Sequence, residues 1–428
     1  MNKVGKNLGK FKKIIIYIKY LHNKKSWQNI TMYTQAHQFE PLLPADARME
    51  PLLAKAHDLS RLATTLAGTR VPPELRSLLR NMNSYYTNRI EGQHTRPHEI
   101  DQALRQDFSK DAVLATKQRL AVAHIAAEQA LEQRYSGLEG ARALYAVDAV
   151  QDIHRALLGH LPPGDLFTSE KEPIPPGTLR QRDVRVGQHV APAHASVPMF
   201  LARWCAFYGG VRRGEAALVA LACAHQRLGW VHPFVDGNGR VMRLHTHTWL
   251  TAQGYTGGLW SPLRGFARST ERYYALLADA DSLRRGDLDG RGNLSEQALI
   301  AWADYVLDTC LDQVNFMAGL LDFATMKTRI EACLVFEATV LKNGVRTEAL
   351  RGLHYLFLSG ADMARGDFKA MLGLSDRGAT DALGALVKRG LLKSDSPQGK
   401  VRFGLPQHAL RFLFPQLWPE AEADAASQ

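Results

Sequence analysis

His232-Pro233-Phe234-Val235-Asp236-Gly237-Asn238-Gly239-Arg240-Val241-Met242-Arg243 is the stretch on which the reading of this chain turns. It lies between two apolar-periodic runs, ALVALACAHQRLGWV and VMRLHTHTWL, and so joins two helices. Gly237 and Gly239 remove side chains where backbone N–H groups must approach an anion. The helix beginning near Asn238 points its positive end at the same place, so the Gly237, Asn238 and Gly239 amides form a phosphate cradle. Arg240 and Arg243, three residues apart, project from one helix face toward a polyphosphate, which guanidinium groups pair bidentately. Asp236 is placed to hold Mg²⁺, or Mn²⁺, against phosphate oxygens, because a hard cation prefers a carboxylate with phosphate oxygens and water. An imidazole that titrates near neutral pH suits a general base, and His232 stands one rigid Pro-Phe step before the cradle.

The pattern His-Pro-Phe-x-Asp-Gly-Asn-Gly-Arg-x-x-Arg is the signature of the Fic family, and this sequence resembles it at every specified position. The resemblance implies a protein adenylyltransferase that moves AMP from MgATP to a Ser, Thr or Tyr hydroxyl of a protein, itself included. Upstream, Thr87-Asn88-Arg89-Ile90-Glu91-Gly92 resembles the family's inhibitory helix, expected over about 78–92. Thr87 and Glu91 share a helix face. The resemblance implies that Glu91 pairs with Arg243 and keeps the nucleotide from its productive position, with Ser84 as a weaker alternative partner. Pro176 to Arg180, then Val184, Arg185, Val186 and Gly187, resemble the flap hairpin that docks a target by strand addition, although Pro192-Ala193-His194 departs from the usual proline-rich step. Tyr273-Tyr274 resembles the paired tyrosines that help enclose adenine, with Tyr274 the candidate ring. His225, His245 and His247 invite a metal reading with His232, but no carboxylate or cysteine at ligand spacing accompanies them.

Composition sets outer bounds. Of 428 residues 46% are hydrophobic and 22% charged, which describes a globular chain of two or three domains and no membrane span. Residues 1–30 hold eight lysines and no acid, so the net charge of +11 falls to +3 without them and gives little ground for a nucleic-acid surface. Residues 1–31 read as a basic tail outside the native start, with Met32 the expected first residue. The four cysteines are dispersed in apolar helical contexts and form no CxxC pair, the pattern of reduced thiols in a cytoplasmic protein.

The expected architecture is mainly α: a helical bundle with a short β-hairpin flap and a C-terminal winged helix-turn-helix. Its divisions are an N-terminal helical region over 32–135, the Fic domain over 136–313, a connecting helix over 314–343, the winged module over 344–415 and an acidic tail over 416–428. Lys388, Arg389, Lys393, Lys400 and Arg402 stand where a winged module would meet DNA phosphates, yet the segment 365–403 nets only +4 from eight basic and four acidic residues. A DNA-binding regulator using the Fic core as a nucleotide sensor is the alternative function. An enzyme that both adds and removes AMP through Glu91 is a second, and a homodimer is a plausible assembly.

Overall fold

The structure, a computed structural model, describes residues 32–187, 189–211 and 214–417. The expected basic tail 1–31 and residues 418–428 of the expected acidic tail lie outside them.

Helices α1 (Asp46–Ala67) and α2 (Pro73–Ile90) open the chain. Pro73 at the first helical position sets the start of α2, since its fixed φ is already helical. Gly92, at φ 72°, stops it in left-handed backbone while the Gln93 N–H returns to Asn88 O at 2.8 Å. There follow α3 (Pro97–Leu104), α4 (Ala112–Arg134), α5 (Gly137–Ala143), α6 (Val147–Leu158), a two-stranded antiparallel hairpin of β1 (Arg185–Val186) and β2 (His189–Val190), and α7 (Val197–Tyr208).

The centre of the molecule is the pair α8 (Glu215–Val231) and α9 (Asn238–Ala252). Both are buried almost all round, the expected habit of a helix enclosed by others. Around them pack α1, α4, α5, α6, α7, α10 (Leu263–Arg268), α11 (Thr270–Ala280) and α12 (Glu296–Leu320), while α2 lies against α4 and α10 and touches α9.

The single connecting helix expected over 314–343 is two helices. Helix α12 ends at Leu320 and α13 (Phe323–Val335) begins after Asp322, whose side chain accepts the Ala324 N–H at 3.3 Å and caps the new helix. Beyond it α14 (Leu350–Ser359), α15 (Arg365–Leu372) and α16 (Asp376–Lys388) precede an antiparallel pair, β3 (Leu392–Lys393) with β4 (Arg402–Phe403), and the described chain closes with α17 (Leu410–Leu413). Met363 bridges Val401, so a third short extended piece joins that ribbon.

Candidate active site

Helix α8 ends at His232, which takes left-handed backbone at φ 49°. A non-glycine residue stays there only where its surroundings hold it. Arg180 does so. Its N–H donates to Pro233 O at 2.9 Å, its Nε to His232 O at 2.8 Å and its Nη2 to Pro192 O at 2.6 Å, tying the histidine turn to the root of the hairpin. Burial, with positive Arg180 and His189 nearby, pushes the His232 imidazole down to about 3. The ring is therefore neutral at physiological pH and can accept a proton.

The loop after His232 is braced from two directions. His154 on α6 stacks on Phe234 at a centroid spacing of 3.9 Å. Its Nδ1 accepts the Gly177 N–H at 2.7 Å, which leaves Nε2–H to donate to Asp236 O at 3.1 Å. The Asn238 side chain closes the loop on itself, accepting the Phe234 N–H and donating to Phe234 O, both at 2.9 Å. Its amide group is thus committed to the loop, and only its main-chain N–H is left for an anion.

Gly237, at φ 80°, makes the left-handed step that turns the chain into α9. Asp236 Oδ1 accepts the Gly237 N–H at 2.5 Å and lies 3.8 Å from Arg240 Nη2, with its side chain 47% exposed. A half-exposed carboxylate beside the cradle fits the donor set a divalent cation prefers. Arg240 and Arg243 are both buried, and Nε and Nη1 of Arg240 and Nη1 of Arg243 have no hydrogen-bond partner among the described residues. Buried donors left unpaired are costly, so these three point to a ligand rich in acceptor oxygens.

One carboxylate already reaches into this place. Glu91, which caps the C-terminus of α2, accepts from Arg243 Nη2 at 2.5 Å, and Thr87 Oγ1 accepts from Arg243 Nε at 2.8 Å. A Cβ on Gly239 would fall 2.4 Å from Glu91 Oε1, so the carboxylate lies directly over the Gly239 backbone. Ser84 is not the partner, because its hydroxyl donates to Ala121 O at 2.8 Å.

Tyr274, partly exposed, donates its hydroxyl to Ile90 O at 3.1 Å and so touches the end of α2 beside Glu91, while Tyr273 is buried against Phe266 and Trp302. In the hairpin Val184 is buried, Val186 is half-buried and Gly187 turns the chain at φ 61°. His189 Nε2 donates to Trp230 O at 2.8 Å and anchors the hairpin to α8.

Sequence reasoning missed three features. Arg180 was seen only as part of the hairpin pattern, and His154 carried no signal at all. His247 does have carboxylate company: its Nε2 lies 2.9 Å from Glu132 and 3.6 Å from Glu128, both on α4, and Arg80 of α2 pairs with Glu132 at 2.5 Å. These pairs join residues more than 50 positions apart, beyond any local spacing rule. With Arg80 in its midst the cluster balances its own charge and is an ion-pair network. His245 is packed between Tyr145 and Trp204.

In the C-terminal module two of the five expected DNA contacts are engaged internally. Arg389 pairs with Glu337 at 2.7 and 2.9 Å, and Arg402 with Glu74 of α2 at 2.8 Å and with Asp395 at 2.8 Å.

Residues 145–250, which hold α6 to α9 and the cradle, match the Fic/DOC family. Over 107 residues the chain is 33% identical to proteins named protein adenylyltransferase Fic from Drosophila ananassae and Drosophila melanogaster, a stretch that is 25% of this chain and 20% of each relative. The match thus spans about a fifth of the relatives' length. Among solved structures, a Fic family protein from Desulfovibrio desulfuricans G20 superposes with a TM-score of 0.51 at 18% identity, covering 86% of this chain and 99% of that one. That likeness is one of fold. The chain carries a Fic/DOC family domain within a mainly helical architecture.

Proposed function

We propose that the chain is a protein adenylyltransferase that transfers AMP from ATP to a protein hydroxyl and is held back by Glu91. The observation that supports it most is the set of buried, unpartnered guanidinium donors on Arg240 and Arg243 above two glycines, one of them covered by a carboxylate from α2. The relatives' name points to the same reaction.

In this reading the Asn238 and Gly239 amides and the Arg240 guanidinium bind and orient the polyphosphate, the Gly237 N–H being taken by Asp236. Asp236 would hold Mg²⁺ or Mn²⁺, which when bound neutralises phosphate charge. His232 Nε2 or Nδ1 takes the proton of the attacking hydroxyl as its oxygen bonds to the α-phosphorus, and the bond to the β-phosphate oxygen breaks to release pyrophosphate. Arg243 stabilises the charge that develops on the leaving group once Glu91 has withdrawn. The hairpin β1–β2 offers an edge to an extended target segment. Tyr274 belongs with the movable end of α2, and its ring would border the nucleotide base. No described helix is long and apolar enough to cross a membrane, and all four cysteines are unpaired, which suits a reducing compartment such as the cytoplasm.

Incubation of wild type, Glu91→Gly and His232→Ala with labelled MgATP, read by intact mass, tests the proposal. Glu91→Gly is expected to incorporate AMP at least about tenfold faster than wild type, and His232→Ala to lose about 10²-fold or more, as for removal of a general base. Equal incorporation by His232→Ala would overturn the assignment of the base. Equal rates for wild type and Glu91→Gly would remove the brake.

A further inference from the structure

A second polar pocket, of about 150 Å³, opens where the chain leaves α2. Its walls are the segment 94–96, Glu99 on the first turn of α3, Lys117 on α4, and Tyr85 of α2 itself. Arg96 and Lys117 bring positive charge from two different elements, and His94 adds a third nitrogen-bearing side chain. Among the described residues Lys117 has no ion-pair partner. Glu99 carries the one negative charge of the lining, and its Oε2 is turned to the Arg96 N–H at 2.7 Å.

Thr95 also lines the pocket, only 2% exposed, and its buried hydroxyl has no hydrogen-bond partner. A buried hydroxyl left unpaired costs free energy that an acceptor entering the pocket would recover. Arg96 and Glu99 further place the opening of α3 in the lining, with the Arg96 N–H already capped by Glu99. The space is ample for a tetrahedral oxyanion.

We infer that the pocket formed by His94, Thr95, Arg96 and Lys117 binds a phosphate-class oxyanion, as the free ion or as the phosphoryl group of a small metabolite. The pocket begins three residues after Glu91, across the Gly92 cap that fixes the end of α2. Resting on the reading of Glu91 as a brake, the regulatory consequence follows from linkage. The pocket exists in the conformation in which Glu91 pairs with Arg243, so a ligand that selects it stabilises the braked state.

Equilibrium dialysis of labelled inorganic phosphate against the full chain at constant ionic strength tests the site. Binding is expected to survive Arg240→Ala/Arg243→Ala, which empties the catalytic cradle of arginine, and to weaken at least about tenfold in Arg96→Ala/Lys117→Ala. Thr95→Val, nearly isosteric, removes only the unpaired hydroxyl and is expected to weaken binding several-fold while leaving thermal stability unchanged. Absence of phosphate binding, or binding lost with the cradle arginines and kept without Arg96 and Lys117, would overturn the inference. Glycerol phosphate run in parallel separates the sources: equal binding of both names the phosphoryl group of a metabolite, and binding of phosphate alone names the free ion. In the transfer assay phosphate should slow wild type and leave Glu91→Gly unchanged. If Glu91→Gly is no faster than wild type without phosphate, the brake fails while the dialysis result still decides the site.

Discussion

Gly239 is asked to serve two states. Its missing Cβ makes room for Glu91 Oε1, and in the proposed reaction the same room would admit a phosphate oxygen once Glu91 has withdrawn. Alanine at 239 would therefore push the Glu91 carboxylate off Arg243 and obstruct the cradle at once. Gly239→Ala is expected to bind ATP about tenfold more weakly, a loss of about 1.4 kcal/mol, and to show none of the rate gain of Glu91→Gly. Calorimetric titration of ATP into both variants checks this, and a Gly239→Ala protein as fast as Glu91→Gly would show that the phosphates lie elsewhere. The same logic explains why this stretch could be read from the sequence. Its histidine, glycines and arginines are consecutive, so the chemistry is local, whereas Arg180 reaches His232 and Pro192 from up to 52 residues away and only the fold brings it there.

Helices α2, α4 and α9 meet at the Glu128, Glu132 and His247 network. Facing Glu128 are His247 from α9 and Arg80 and Asn83 from α2, with Glu132 and His124 on its own helix. Burial raises the Glu128 carboxyl to about 7, and the two carboxylates raise His247, while His247 and Arg80 hold Glu132 low. Glu128 and His247 both bind protons more tightly folded than unfolded, so their stabilisation is complete only below the unfolded values, 4.5 for Glu128 and 6.5 for His247, and is lost as pH rises through the folded ones. Glu132 acts in the opposite sense, but only in more acidic solution. His124, His154, His225, His232 and His245 are held neutral by burial and stabilise the fold increasingly as pH rises toward 6.5, so the network is read by difference: the wild-type midpoint minus that of Glu128→Gln, which stays neutral, is expected to fall as pH rises from 5 to 8. A difference that rises over the same range would contradict it. Helical periodicity in the sequence located α9, and α2 and α4 fall within the expected helical region 32–135, but periodicity says nothing of which polar residue on one helix meets which on another. It also overlooked the break between α12 and α13, because Leu321 and Asp322 include neither glycine nor proline, and the cap is a single aspartate.

Across the whole molecule, α2 is the element on which the parts converge. Arg402 of the C-terminal ribbon pairs with Glu74 in its first turn, Arg80 and Asn83 join its middle to α4, and Glu91 and Ile90 end it at Arg243 and Tyr274. Glu74 is nearly buried, so Arg402→Ala leaves a carboxylate without its partner and is expected to destabilise the chain by about 1–3 kcal/mol. Hydrogen exchange at the first turn of α2 should accelerate in the same variant, and unchanged exchange there would show that the ribbon does not hold the helix. At 1.5 Å per residue, Glu74 and Glu91 are separated by roughly 25 Å of continuous helix. A hydrogen-bonded rod of that length resists bending far more than it resists sliding or turning as a unit. A displacement imposed on Glu74 by the C-terminal ribbon would therefore be carried along the helix toward Glu91, which makes α2 a push-rod between that ribbon and the cradle.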